Sequence, residues 1–286
     1  MIAVSVGFIV FHNIIATPLF QYFPYIIFLA GVALVDDKYS ISAISRLILQ
    51  LLVAGVFVYK GLLVESTQFL SYEVVFHPLV AIVGSTLFIV WLINLYNFMD
   101  GMDGFSGGMA IFGFATFALL AYLKGEEGFM IANLIMVASV AGFLVFNFPP
   151  SKIFMGDIGS TVIGMIVALF SIKANNDGII PLYVSVIIFA PFILDSTLTL
   201  IRRALRGEKI WEAHRSHYYQ RLVLLGLGHR KTLLLEYLWM LICSIIAVAL
   251  INTQDFDEQI KLLLLFIVLS SVFLAVVDIK TRNIEK

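Results

Sequence analysis

Asn94-Leu-Tyr-Asn-Phe-Met-Asp-Gly-Met-Asp-Gly-Phe-Ser-Gly-Gly108 stands between two apolar runs, Leu79–Ile93 and Met109–Leu123. Runs of this kind, repeated along a chain, are the signature of membrane-spanning helices, and the polar stretch between them becomes a loop at a membrane border. Asp100 and Asp103 are three residues apart, so a helical turn here would put both carboxylates on one face. Acidic groups at a hydrocarbon boundary are costly unless cations compensate them. The question this stretch poses is whether other charged clusters converge on it.

The rest of the chain repeats the pattern. Of 286 residues, 61% are hydrophobic and 13% charged, and the mean hydropathy is +1.01. A soluble core of this size needs far more charged surface, so the expected fold class is all-α, a polytopic membrane helical bundle. No strand-like alternation of a membrane barrel is evident, and helices satisfy the backbone within the bilayer. The formal net charge of -1 says little, and no nucleic-acid partner is expected. The single cysteine, Cys243, lies in an apolar run and excludes an internal disulfide or a cysteine-based metal site.

Apolar runs place spans near residues 2–20, 22–35, 46–64, 78–97, 108–123, 129–147, 159–173, 179–200, 232–252 and 261–278, about ten transmembrane helices in one domain covering 1–286. Pro18 and Pro24 make the first two a tilted or kinked pair. With strict alternation, the side that holds Asp36 and Asp37 collects 14 of the 18 Lys and Arg. The positive-inside rule makes that side the cytoplasm. Asn97–Gly108, Pro149–Ser160 and Arg202–Lys231 fall on it too.

Four clusters on this face can carry chemistry. Asp36 and Asp37 end the second run; they read either as a solvated helix end beside Lys38 or as a metal or phosphate subsite. Asn97, Asp100 and Asp103 lie among glycines that permit tight turns. Helix packing through Gly104 and Gly108 explains the glycines but not the acids. In Pro149-Pro-Ser-Lys-Ile-Phe-Met-Gly-Asp-Ile-Gly-Ser160, Asp157 reads as an N-cap of the next helix. Capping does not require Lys152 or Phe154, and an acid, a cation and an aromatic together suit a magnesium-bound nucleotide. Arg202–Lys231 holds eight Lys/Arg, with His214-Arg-Ser-His217 at its centre. Positive-inside topology accounts for Arg202, Arg203, Arg206 and Lys209, whereas His214, Arg215 and His217 look like an anion site. Asp195 reads as a partner for one of the arginines or as plain helix-end pairing. His12 and His77 read as structural. Carboxylates for a hard cation facing basic groups for phosphates is the logic of phosphoryl transfer, here at a bilayer surface with a lipid substrate and a cytosolic one.

Val35-Asp-Asp-Lys, Asn97-Phe-Met-Asp-Gly-Met-Asp-Gly, Lys152-Ile-Phe-Met-Gly-Asp-Ile-Gly-Ser and His214-Arg-Ser-His-Tyr-Tyr-Gln-Arg-Leu resemble the motifs of the polyprenyl-phosphate N-acetylhexosamine-1-phosphate transferases of glycosyltransferase family 4, relatives of phospho-N-acetylmuramoyl-pentapeptide-transferase. The resemblance implies transfer of an N-acetylamino-sugar-1-phosphate from a UDP-sugar to undecaprenyl phosphate at the inner membrane, with UMP released. The cofactor it implies is Mg²⁺, with Mn²⁺ as a substitute. Carried over, Asp157 would be the principal metal ligand, Asp36 and Asp37 would sit by the lipid phosphate, and Asn97, Asp100 and Asp103 would shape the nucleotide and metal site. Phe154 would stack on uracil, with Lys152 beside it, and His214, Arg215 and His217 would hold the diphosphate. The His-Arg-Ser-His form looks more like the branch that begins O-antigen or related surface polysaccharides.

Family members usually begin with a further span and a cytoplasmic loop of the Pro-Thr-Pro-Arg-Gly-Gly-Gly type. The chain is therefore expected to lack that span and loop, and an inactive relative is one alternative. A secondary transporter would carry its polar groups at midplane on broken helices with internal repeats. An intramembrane aspartyl protease would carry its acids within spans. Homodimer formation is left open.

Overall fold

The computed structural model describes residues 21–39, 41–209 and 215–281, without the side chains of Asp37 and Lys38. The helices are α1 (Phe23–Tyr39), α2 (Ala43–Tyr59), α3 (Pro78–Met99), α4 (Phe105–Lys124), α5 (Glu127–Asn147), α6 (Gly156–Asn176), α7 (Leu182–Ile188), α8 (Ala190–Leu205), α9 (Tyr218–Leu222), α10 (Gly228–Asn252) and α11 (Phe256–Thr281), with a π-helical turn over Val223–Leu227. The protein is an all-α polytopic membrane bundle. Six of the described helical segments are long and apolar enough to cross a membrane, and the bent pair α7–α8 makes a seventh.

Three of the expected ten spans, at 22–35, 46–64 and 179–200, are not single helices long enough to cross upright. The run at 2–20 lies outside the described residues. The second and third runs form α1 and α2, each 17 residues long, short of the roughly 20 that cross a bilayer upright. Ser42 starts α2 by accepting from the Ser45 amide at 3.2 Å, and Gly61, at φ +94°, follows its end. The run at 179–200 is not one helix: α7 and α8 meet at 83°. Pro191, in the first turn of α8, has no N–H to continue the ladder from α7.

A two-stranded antiparallel hairpin, β1 (Ser66–Phe69) and β2 (Tyr72–Val75), lies at the end of the bundle opposite the acidic clusters. Asn175 Nδ2 donates to Ser66 O (2.8 Å) and Asn176 Nδ2 to Leu63 O (2.9 Å), fastening the hairpin region to α6. His77 is structural: it caps α3, accepting from the Leu79 amide at 3.3 Å.

Helix α6 is the axis of the core. Of its apolar window 78% is buried, against 11% for α11, which faces outward. Gly164 lets α6 approach α3 closely, because a Cβ there would lie 2.5 Å from Leu92 O and 3.0 Å from Ile93 Cα. Between α2 and α3, Asn94 donates to Gln50 Oε1 (2.6 Å) and to Val90 O (2.8 Å), so polar atoms within the bundle are paired rather than stranded. Cys243 is buried and packs with Ala190 and Trp239.

Candidate active site

The alternation of helices brings the C-terminal ends of α1 and α3 to the same end as the N-terminal ends of α2, α4 and α6. Asp36 in the last turns of α1 is buried. Its Oδ1 accepts from the Ile41 amide at 2.6 Å, which turns the chain toward α2, and its Oδ2 accepts from Arg46 Nη1 at 2.8 Å. The same Arg46 Nη1 lies 3.4 Å from Asp157 Oδ2 at the start of α6. Arg46 and Asp157 are partly open to solvent, with side chains 38% and 40% exposed, whereas Asp36 is covered. A cation was required near these acids, and it is Arg46, a residue counted in the sequence only toward topology.

Asp157 is not an N-cap. Met155 holds the cap position of α6, and Asp157 sits inside its first turn. There its charge complements the helix dipole while its carboxylate remains directed at Arg46. One turn on, Ser160 Oγ accepts from Asn97 Nδ2 at 3.3 Å, tying α6 to the end of α3.

Asp100 ends α3, and its backbone N–H bonds to Asn97 O at 3.3 Å. Burial pushes its carboxyl up to about 7; the nearby Ser106 hydroxyl pulls the other way, and the charge of Asp157 adds to the rise. Asp103 takes a different partner, accepting from the Ser151 amide at 3.1 Å. Asn147 completes that junction: its Oδ1 accepts from the Gly104 amide and its Nδ2 donates to Ile153 O, both at 2.8 Å. Tyr237 on α10 donates to Gly104 O at 2.7 Å. The glycine loop is thus braced from two sides, and Gly104 itself adopts φ +76°, a conformation that favours glycine. Lys152 is exposed and Phe154 is 79% exposed on the loop so held.

His217 leads into α9 and is buried. Its Nδ1 is 2.9 Å from Asp195 Oδ1, and Asp195 also accepts from the amides of Tyr218 (2.9 Å) and Tyr219 (3.0 Å). Asp195 therefore caps α9 and fixes the imidazole. Tyr219 stacks on His217 with ring centroids 5.9 Å apart, and its hydroxyl lies where a Cβ on Gly101 would be. This contact joins the histidine loop to the Asp100 turn. Arg215 is exposed. His214 and the side chain of Asp37 lie outside the described residues.

Reasoning from sequence missed Arg46, Asn147, Ser106 and Tyr237. Arg46, ten residues after Asp36, offered a signal as the lone cation entering an apolar helix. Asn147 and Tyr237 are polar residues within apolar runs and carried none, and Ser106 stood unremarked in the Asn94–Gly108 stretch.

The donor set fits a hard divalent cation. Asp100, Asp157 and Asn97 supply oxygen atoms, and the mutual repulsion of Asp100 and Asp157 is what a cation relieves. Among the described residues no three His, Cys, Asp or Glu side chains group closely enough to hold a metal unaided. Mg²⁺ usually takes one or two carboxylates and completes its shell with phosphate oxygens and water, so such a site would be finished by its substrate.

A multi-pass helical bundle with an acidic, arginine-bridged cluster at one end defines the class. The chain belongs to glycosyl transferase family 4, whose model matches residues 19–175. It is 33% identical over 234 residues to "Probable undecaprenyl-phosphate N-acetylglucosaminyl 1-phosphate transferase" of Bacillus subtilis, covering 79% of this chain and 63% of that protein. It is 27% identical over 265 residues to decaprenyl-phosphate N-acetylglucosaminephosphotransferase of Mycobacterium leprae, covering 81% and 63%. It is 29% identical over 161 residues to phospho-N-acetylmuramoyl-pentapeptide-transferase of Staphylococcus saprophyticus, covering 55% and 48%. The chain thus spans about three fifths of the length of the first two.

Proposed function

We propose that this protein transfers an N-acetylhexosamine-1-phosphate from a UDP-sugar to a polyprenyl phosphate, with UMP as the leaving product. The observation that carries this reading is the Asp36–Arg46–Asp157 bridge beside the raised carboxyl of Asp100. A guanidinium shared by two carboxylates on two helices, open to solvent on one side, suits an incoming anion. The names of the relatives from B. subtilis and M. leprae support a polyprenyl-phosphate acceptor and N-acetylglucosamine as the first sugar to try. The Lys/Arg distribution supports a cytoplasmic position for this end of the bundle, where a first step of surface polysaccharide assembly would draw on cytosolic UDP-sugar.

The acceptor's phosphate has a second pKa of roughly 6, so much of it is dianionic at neutral pH. One of its oxygens attacks the β-phosphorus of the donor, the bond from that phosphorus to the bridging oxygen of UMP breaks, and the electron pair leaves with UMP. No proton need be removed from the attacking oxygen. Arg46 holds the acceptor phosphate and offsets its charge against Asp36. Asn97 and Ser160 fix the spacing between α3 and α6. Phe154 offers an open aromatic face to the uracil, and Lys152, Arg215 and the histidine loop bind the diphosphate. Bound through Asp157 and Asp100, Mg²⁺ would neutralise charge on the pyrophosphate.

A covalent route through Asp36 is disfavoured by its surroundings, because both carboxylate oxygens are engaged and the residue is buried. The test is incubation of the purified chain with UDP-N-acetylglucosamine and Mg²⁺, with and without undecaprenyl phosphate. UMP release that requires the lipid supports direct transfer. A phosphorylated protein trapped with donor alone contradicts it.

A further inference from the structure

A second dense charged assembly lies where α8, α9 and α11 meet, and the transfer step above does not use it. Asp278 on α11 accepts from Arg202 Nη1 (2.7 Å to Oδ1) and Nη2 (2.6 Å to Oδ2), and from Arg221 Nη1 (2.8 Å to Oδ1). Arg221 also donates to Thr281 Oγ1, at 3.0 Å from Nε and again from Nη2. Both guanidiniums lie over the ring of Tyr218, 5.2 and 4.9 Å from its centroid. The Tyr218 hydroxyl is 3.4 Å from Asp278 Oδ2. The Arg221 side chain is 7% exposed, while Asp278 and Arg202 are 31% and 41% exposed, so the network ties a buried arginine to a partly open carboxylate at the edge of the bundle.

Its placement matters because α9 has only five residues and so has little stability of its own. Its first turn is held by Asp195, and its other end by Arg221 on Asp278 and Thr281. Between the two anchors lie His217 and Tyr219, the latter against Gly101. Any tilt of α9 would therefore move the histidine loop and the Asp100 turn together.

We propose that Asp278, acting through Arg221 and Tyr218, is a positioning residue for the transfer site, orienting α9 and with it the Arg215–His217 segment that receives the donor diphosphate. The proposal rests on the transferase reading and extends it to α11, beyond the region matched by the family model.

The test measures KM separately for UDP-N-acetylglucosamine and for undecaprenyl phosphate, using the full chain in detergent. Asp278→Asn should raise KM for the UDP-sugar on the order of tenfold and leave KM for the lipid unchanged, with Asp278→Glu recovering part of the loss. An equal rise in both KM values, or an unchanged UDP-sugar KM in a folded Asp278→Asn protein, overturns the proposal. Should Asp278→Asn fail to fold, Thr281→Val is read for the same split between substrates. A readout independent of turnover is trypsin cleavage after Arg215 in substrate-free protein. Faster cleavage in the variant than in wild type supports the clamp, and an equal rate contradicts it. If wild type releases no UMP, the transferase reading fails while the trypsin measurement still reports on the clamp.

Discussion

The guanidinium of Arg46 stands 3.4 Å from the carboxylate of Asp157 and 2.8 Å from that of Asp36, so one cation joins the start of α6 to the end of α1. Arg46→Gln removes the charge while keeping much of the stem. Turnover should fall about a hundredfold or more, as for loss of a preorganised charge at a phosphoryl site, whereas Arg46→Lys should retain part of it. Because Arg46 offsets the buried Asp36, the melting temperature should also fall in Arg46→Gln and recover in Arg46→Lys. The kinetics of UMP release and a thermal melt of the same preparations check this; a large loss of stability with normal turnover would mean that the bridge is only structural.

Asp100 gives a pH dependence whose sign is fixed. Its carboxyl is raised from 3.8 to about 7, first by burial. Between those values the unfolded chain is ionised at this residue and the folded chain is protonated, so folding takes up a proton and stability falls as pH rises from about 4 to about 7. Asp100→Asn should therefore gain on wild type across that window and hold a constant advantage above it, measured as unfolding midpoints in detergent with a chelator present. Mg²⁺ binding to wild type should weaken as pH drops through about 7, because it competes with the proton.

Phe154 is exposed, so replacing it should cost function and spare stability. Phe154→Ala should weaken UDP-sugar binding by about 1–3 kcal/mol, the worth of stacking one base on an aromatic ring, with Phe154→Tyr near wild type. Competition by UMP against the UDP-sugar is the direct measurement.

Gly164 tests the fold. Alanine there would push its Cβ against the Leu92 carbonyl and Ile93 Cα, backbone atoms that cannot swing away. Gly164→Ala should destabilise by about 1–3 kcal/mol, read from thermal unfolding. Gly142→Ala, inside α5 where a Cβ meets nothing within 4 Å, is the control and should be neutral to slightly stabilising.

The long apolar runs announced the helices because a span must be continuously apolar, and parity then placed Asp36, Asn97, Asp100 and Asp157 at one end. What remained hidden has physical reasons. Composition does not record length after capping, so α2 read as a full span, whereas the run at 22–35 that became α1 already read as short. The hairpin is too short, and its second strand too exposed, to leave a pattern of its own. Asp157 also read as a cap because an acid near a helix start serves either purpose. Arg46 and Asp278 look like ordinary interfacial charges until the fold shows what stands opposite them, 111 and 57 residues from Asp157 and Arg221 respectively.

The most direct measurement is UMP release from UDP-N-acetylglucosamine with undecaprenyl phosphate and Mg²⁺, comparing wild type with Asp157→Asn at matched melting temperature. Lipid-dependent UMP release by wild type and its near abolition in the variant is the predicted result. Near-normal turnover in a folded Asp157→Asn protein would contradict the role given to the Asp36–Arg46–Asp157 cluster.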